Sequence, residues 1–158
     1  ADSGNWLRVD RGIFRLPEWP SDPEDTFVRW TLWSDGRGVV SHDSALAVHG
    51  LSDVDPIKVH LTVPSGFGAS DELVELHVAD LDEDEREQRR GWAVTTPLRT
   101  LADVAGTNIS QEQVDRAVAD ALRLGLASRR RLLRATAELS PHAALRLERA
   151  LAKAEANA

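Results

Sequence analysis

The sequence predicts an α+β fold, in which a small antiparallel β-sheet packs with helices. Residues 57–63 and 73–78 alternate between apolar and polar side chains, which is typical of strands. After residue 96, apolar residues recur at helical spacing behind capping signals, which favours a helical C-terminal segment. Hydrophobic residues make up 42% of the 158 residues, so the chain is able to build a core. We expect three parts: a wing-like hairpin over 1–20, a mixed α/β domain over 21–139 and a C-terminal helix over 140–158.

The opening stretch WLRVDRGIFRLPEWP predicts a β-hairpin with a glycine in its turn. Leu7 and Val9 share one face of the first strand, and we expect Phe14 and Leu16 to lie opposite them. An isolated two-stranded hairpin is marginally stable, so this one must pack on another part of the protein. The next helix is predicted over 22–34, because an aspartate and a proline open it and its apolar residues follow at helical spacing.

The stretch VVSHDSALAVHGL predicts a strand end, a helix capped by Ser41 and a left-handed stop at Gly50. Its residue types also suggest a hydrolase triad of Ser41, His42 and Asp43. Adjacent side chains on a regular helix diverge by about 100°, so we do not expect them to converge on one substrate atom. His42 and His49 lie seven residues apart, about 10 Å along a helix axis, which is too far for one metal ion. We expect His49 to be half-buried and hydrogen-bonded near the helix end.

The alternating segments 57–63 and 73–78 predict two antiparallel strands joined by a glycine-containing loop. His60 and His77 then become cross-strand neighbours, either as an exposed pair or as part of a metal site that needs two more ligands. Residues 80–87 hold six acidic residues and predict an exposed connection, and residues 92–95 predict a third strand.

Four helices are predicted in the remainder of the chain. Each begins at a Ser or Thr suited to the N-cap position, and two of these are followed by proline: Thr96, Ser110, Ser128 and Ser140. Gly125 ends the second of them, and the third is expected to reach about Leu139. Arg99 and Asp103 lie at i and i+4 on the first helix and predict an ion pair.

Charge is distributed unevenly along the chain, whose net charge is -7. Residues 1–114 carry 10 Lys and Arg against 21 Asp and Glu, a net charge of -11, whereas residues 115–158 carry 9 against 5, a net charge of +4. Opposite signs suit a partner of mixed charge better than nucleic acid alone. The chain has no cysteine, which excludes disulfides and thiolate chemistry, and no apolar run of about 20 residues. We expect a soluble, cytoplasmic protein without a membrane partner.

Two groups of arginines are candidate binding residues. Arg8, Arg11 and Arg15 on the outer side of the hairpin suit contacts with DNA phosphates, although a plain exposed hairpin explains them equally well. A second group opens a helix, where it forms either a solvated face or a contact with a partner: Arg129, Arg130 and Arg131. The sequence indicates no catalytic residue, no metal ligand and no cofactor, and gives no oligomeric state.

Five motifs over residues 6–135 occur in a familiar order: VDRGIFRLP, VVSHDSALAVHGLSD, VHLTVPS, AVTTPLRTLADVA and ALRLGLAS. Together they resemble the AbiEi-type antitoxins of type IV toxin–antitoxin systems. The resemblance implies an N-terminal winged helix-turn-helix that represses its own operon, and a following domain that neutralises a nucleotidyltransferase-like toxin. The implied partners are the cognate toxin protein and, for the intact protein, operator DNA.

This sequence departs from the antitoxin pattern at its start. It begins at the wing, so the hairpin is a remnant of the winged helix-turn-helix, and we expect this chain alone to bind DNA poorly. A related group shares these motifs and continues into a Vsr-like nuclease domain. The alternative interpretation is therefore a scaffold domain of a nuclease-related protein, although residues 141–158 predict a short alanine-rich helix instead of an acid-rich catalytic domain.

Overall fold

The computed structural model describes residues 7–10, 13–15 and 23–158, with side chains from residue 24 onward. Within these residues the chain has an α+β fold, which confirms the predicted class. The strands are β1 (Leu7–Asp10), β2 (Ile13–Arg15), β3 (Val39–Val40), β4 (Val59–Val63), β5 (Val74–Val78), β6 (Arg86–Gln88) and β7 (Ala93–Thr95). The helices are α1 (Pro23–Trp33), α2 (His42–His49), α3 (Pro97–Ala105), α4 (Gln111–Arg123), α5 (Arg129–Thr136) and α6 (Pro141–Ala156).

The main sheet is mixed, and its strand order is β5-β4-β3-β7-β6. β3 is antiparallel to β4 and parallel to β7, while β6 and β7 are antiparallel. β4 and β5 run parallel, with Val59 opposite Val74 and Val63 opposite Val78. The prediction that these two strands are antiparallel is therefore wrong. Alternation of apolar residues reveals that a segment is a strand but carries no information on its direction. The short loop over 64–73 suggested a hairpin, because parallel strands usually need a longer crossover.

The predicted N-terminal hairpin is confirmed as the antiparallel pair of β1 and β2. Its register differs from the expected one: Leu7 pairs with Arg15 and Arg8 pairs with Phe14, with an irregularity between Arg8 and Asp10. The pairing that would align the apolar residues of the two strands is therefore not formed. Two residues of the turn, at 11 and 12, lie outside the described residues.

An aromatic cluster covers the main sheet where α1 packs on it. Trp30 and Trp92 are almost completely buried together with Val40, Leu61 and Val94. The rings of Phe27 and Trp92 lie 4.8 Å apart between centroids, a distance typical of favourable aromatic pairs. This cluster anchors α1 on the sheet.

The five helices α2 to α6 enclose a second, aliphatic cluster. Val114 and Val118 of α4 and Leu147 of α6 are fully buried in it, beside Leu101 of α3. The four predicted N-caps are confirmed, since each hydroxyl accepts a hydrogen bond from a backbone N–H in the first turn: Thr96, Ser110, Ser128 and Ser140. These caps fix the residue at which each helix begins, and so which of its side chains face the cluster.

One predicted helix end is wrong, and one predicted connection contains secondary structure that was not predicted. α5 ends at Thr136 and not at about Leu139, because the residues beyond it form turns that lead directly to the cap of α6. The acidic run holds a short 3₁₀ helix (Glu83–Glu85) followed by the edge strand β6, where only an exposed connection was expected. β6 escaped prediction because charged residues are common on edge strands and leave no alternating pattern. No helix among residues 23–158 is long and apolar enough to cross a membrane.

Candidate functional site

Three histidines from three different elements stack against one another: His42 of α2, His60 of β4 and His77 of β5. We call them the histidine cluster. The rings of His42 and His77 are nearly parallel, with centroids 3.5 Å apart and planes inclined by 9°. The rings of His60 and His77 have centroids 5.2 Å apart, and Nδ1 of His60 lies 2.9 Å from Nε2 of His77, at hydrogen-bonding distance.

The parallel register of β4 and β5 brings His60 and His77 together. His60 lies opposite Glu75, and Thr62 lies opposite His77, so the two histidines are diagonal neighbours across the strand pair. The prediction that they are cross-strand neighbours is confirmed. The contact of His42 with this pair was not predicted, because the sequence carries no signal for how α2 packs on β4 and β5.

His42 has an unusual backbone conformation at the start of α2. Its φ is +52°, in the left-handed region, which is uncommon for a residue with a side chain. This conformation turns the ring of His42 back toward Ser41, whose Oγ lies 2.7 Å from His42 Nδ1. Neighbouring side chains diverge on a regular helix, but those of Ser41 and His42 meet, because the backbone of His42 is not helical at this point.

Ser41 occupies the predicted N-cap position, but its side chain makes no capping hydrogen bond. Its Oγ instead accepts a hydrogen bond of 2.8 Å from Thr62 Oγ1 and faces His42. The left-handed stop at Gly50 is confirmed, with φ of +71°. His49 is half-buried, and its Nε2 lies 2.8 Å from the carbonyl oxygen of Thr95, which confirms its predicted role near the helix end.

Burial holds the histidine cluster in its neutral form. It lowers the pKa of His42 to about 3, with smaller contributions from His77, His60 and Arg99. Burial also lowers the pKa of His60 and of His77, against the opposing influence of Asp43 and Glu75. Asp43 Oδ2 lies 3.9 Å from His60 Nε2, near enough to stabilise a proton there only weakly.

The geometry of the cluster is unsuited to metal binding or nucleophilic catalysis. An imidazole nitrogen binds a metal in the plane of its ring, and two parallel rings 3.5 Å apart share no such plane. Over the described part of the chain, no group of three or more histidines and carboxylates is arranged to hold a metal ion. Ser41 is fully buried, so a substrate has no route to its hydroxyl. These contacts connect α2 to the sheet.

A second polar group joins α3 to the acidic run. Arg99 Nε donates to Asp103 Oδ1 over 2.9 Å, which confirms the predicted i, i+4 pair. Arg99 also donates to Glu85 Oε2 over 2.8 Å, a partner that the sequence did not indicate. Burial raises the pKa of Asp103 to about 6, against the opposing effect of Arg99. Asp103 Oδ2 is buried and accepts no hydrogen bond from the described residues.

The predicted partner-binding arginines lie on the exposed side of α5. Arg129 forms an ion pair with Glu155 of α6. Arg130, Arg131 and Arg134 are exposed and form no ion pair with any described residue. We call these three arginines and Leu133, whose side chain is 40% exposed, the basic surface of α5. Arg129 thus differs from its neighbours, and partner binding at this surface stays a prediction.

Two of the three hairpin arginines lie on described strands. Arg8 lies on β1 and Arg15 on β2, whereas Arg11 lies outside the described residues. Their role in DNA binding stays a prediction.

Comparison with known proteins supports the fold and not the family. No family model matches the sequence, and no curated protein matches it. Among solved structures, the chain is similar to the RV2827C protein from Mycobacterium tuberculosis, with a TM-score of 0.63 and 16% sequence identity. The match covers 85% of this chain and 54% of that protein, so the chain spans about half the length of that protein.

Proposed function

We propose that this chain is the toxin-neutralising part of an AbiEi-type antitoxin, which acts by stoichiometric binding to a nucleotidyltransferase-like toxin. The order of its five motifs supports the proposal. Their conspicuous polar residues are engaged inside the fold: Ser41 and His42 join α2 to the sheet, and Arg99 joins α3 to Glu85. Residues so occupied serve the scaffold, which leaves binding to the exposed surface.

The basic surface of α5 is the observation that carries the binding proposal. Residues 129–136 hold four arginines and no acidic residue, in a chain whose net charge is -7. Arginine binds carboxylates through two parallel hydrogen bonds, and Arg130, Arg131 and Arg134, which form no ion pair with any described residue, are available for such contacts. A cationic patch also speeds encounter with an acidic partner.

An apolar side chain lies among these arginines. Leu133 is 40% exposed, and Leu126 in the preceding turn is exposed to a similar extent. Protein interfaces combine a small apolar centre with a charged rim, and arginine is enriched in them. We therefore assign the toxin-facing surface to α5 and the turn before it.

The test is co-purification with the protein encoded next to this one, followed by rescue from its toxicity by this chain. We expect Arg130→Gln with Arg134→Gln to weaken rescue. The control changes two exposed arginines of α4 by the same charge, Arg116→Gln with Arg123→Gln, and should leave rescue intact.

Three results would contradict the proposal in different ways. Equal rescue by both double variants would exclude the basic surface of α5 as the interface. Failure of the unmodified chain to bind or rescue would exclude the antitoxin function itself. Metal-dependent cleavage of nucleic acid by the purified chain would favour the nuclease-related alternative.

Repression of its own operon is the second activity that the resemblance implies. A mobility-shift assay with operator DNA should show weak binding by this chain, because its net charge of -7 opposes binding to DNA phosphates. Tight, sequence-specific binding by this chain would contradict that expectation.

A further inference from the structure

A cavity of about 620 Å³ lies between the α3–α4 connection and the first turns of α6. We propose that it binds an oxyanion of the phosphate class. Among the described residues, no Asp or Glu lines it. The anion would contact Asn108, His142, Arg149 and the remaining N–H groups of Arg146, since the side chains of Thr107 and Gln111 already donate elsewhere. The inference is independent of the antitoxin proposal.

Arg146 places a buried positive charge beside this cavity. Only 7% of Arg146 is exposed to solvent. Its Nη1 donates to the carbonyl oxygen of Ala105 over 3.1 Å and to that of Thr107 over 2.7 Å. Its Nη2 donates to the carbonyl oxygen of Ile109. Carbonyl dipoles solvate the guanidinium without cancelling its charge. Buried charges in proteins are normally paired, yet Arg146 has no carboxylate partner among the described residues.

The rim of the cavity adds to this positive potential. Arg149 lies one turn after Arg146 on the same side of α6, is exposed, and forms no ion pair within the described part of the chain. Gln111 and His142 belong to the first turns of α4 and α6, where the helix dipoles are positive. The cavity thus combines two guanidinium groups with two helix N-termini.

The arrangement of donors favours phosphate over carboxylate. Arg146 lies at the cavity wall and Arg149 at its rim, while Asn108 brings an amide from the opposite connection. Two guanidinium groups beside one cavity suit a group with up to two negative charges and three or more acceptor oxygens, as a phosphate has, better than a singly charged carboxylate. The nearby carboxylate of Asp115 is already held by Gln111 over 2.8 Å and by Lys153 over 3.7 Å.

The test is titration of the whole chain with inorganic phosphate, pyrophosphate, adenosine monophosphate and acetate, followed by calorimetry and by amide NMR shifts. We expect saturable binding of the phosphates, with shifts centred on residues 106–109 and the first turns of α6. Arg149→Gln should weaken phosphate binding about tenfold, the effect of losing one charge-assisted hydrogen bond. Arg130→Gln removes the same charge from α5 and should leave the affinity unchanged.

Each other outcome overturns the proposal. Absence of saturable binding at millimolar phosphate excludes the site. Equal weakening by Arg149→Gln and Arg130→Gln shows only a general charge effect, and shifts centred on α5 place the anion elsewhere. Equal affinity for acetate excludes selectivity for the phosphate class. Arg149 is exposed, so its substitution leaves the fold intact and the test does not depend on changing the buried Arg146.

Discussion

Single residues in this chain perform tasks that differ from those their sequence positions suggest. Ser41 stands at an N-cap position and yet bonds to Thr62 and His42 instead of to the helix backbone. His42 adopts a left-handed conformation that its neighbours do not signal. Sequence patterns report which residues open a helix, but they do not report a backbone conformation that depends on tertiary contacts. The histidine cluster was therefore foreseen only as the pair of His60 and His77.

The histidine cluster makes folding stability depend on pH. His42 has a pKa of about 3 in the folded protein, below the ordinary value of 6.5, so the unfolded chain takes up a proton first as pH falls. The contribution of His42 to stability is therefore fully present above pH 6.5 and decreases between pH 6.5 and about 3, by about 1.4 kcal/mol per pH unit. His60 and His77 act in the same direction.

Urea unfolding at several pH values between 7.5 and 4.5 measures this loss. His42→Asn should reduce the slope below pH 6.5, because asparagine does not titrate and tolerates the left-handed conformation. His142→Gln changes an exposed histidine and serves as the control. An unchanged slope in His42→Asn would show that His42 does not resist protonation.

Asp103 should show the opposite dependence on pH. Its folded pKa of about 6 lies above the ordinary value of 3.8, so the folded protein takes up the proton first as pH falls. Its contribution is present below pH 3.8 and is lost as pH rises through 6, by about 1.4 kcal/mol per pH unit in that window.

The variant Asp103→Asn should flatten stability over pH 4–6 when it is compared with the unmodified protein by urea unfolding. Arg99→Gln should instead raise the pKa of Asp103 further, because the cation that opposes burial is removed. A pKa for Asp103 near 4 by NMR titration would contradict the expectation.

At the level of elements, the sequence predicted helices better than strand pairing. Hydroxyl caps and apolar spacing are local signals, and the four helices after residue 96 begin where those signals lie. Strand direction is set by distant contacts, so the parallel pairing of β4 and β5 could not be predicted. β6 was missed because its three residues, Arg86–Gln88, are charged or polar. Glu85 ends the 3₁₀ helix directly before β6, and its contact with Arg99 was missed together with these two elements.

The approach of α1 to the strand β3 depends on Gly38. A Cβ atom at this position would lie 2.9 Å from Ser34 Oγ and 3.1 Å from Leu61 Cδ1. The N–H of Gly38 also donates to Ser34 Oγ over 2.8 Å, so Ser34 cannot move away without losing that bond. Gly38→Ala should therefore destabilise the protein by about 1–3 kcal/mol.

The free energy of unfolding of two variants, measured by chemical denaturation, separates the two effects. Gly38→Ala reports on crowding by neighbouring atoms, and Gly36→Ala reports on backbone strain. Gly36 has φ of +77° with open space around it, so its substitution should cost only about 1 kcal/mol, from the backbone alone. Equal stability of Gly38→Ala and the unmodified protein would show that this contact is not tight.

In the molecule as a whole, α2 joins the two hydrophobic clusters. Ala45 belongs to the cluster on the sheet and the next residue, Leu46, belongs to the helical cluster. Because adjacent residues of one helix serve both, disruption of one cluster must disturb the other. The charge distribution has a corresponding division, with the cations concentrated in the helical part after residue 114.

We therefore expect the two clusters to unfold in one transition. Tryptophan fluorescence reports on the sheet cluster through Trp30 and Trp92, and far-ultraviolet circular dichroism reports mainly on the helices. Leu147→Ala, in the helical cluster, should lower stability by about 2–5 kcal/mol and shift both signals together. Separate midpoints for the two signals would show that the clusters fold independently.

The length of the loop between β4 and β5 determines whether the two strands can run parallel. Its ten residues, 64–73, must connect Val63 at the end of β4 to Val74 at the start of β5, a distance of about 14 Å for strands of this length. A fully extended loop of ten residues spans up to about 33 Å. The chain can therefore lose several loop residues and still reach. Below about five residues the return becomes impossible, and the second strand would have to reverse its direction. The minimum loop length thus sets an upper limit on the deletions that natural variants of this protein tolerate while keeping His77 beside His60.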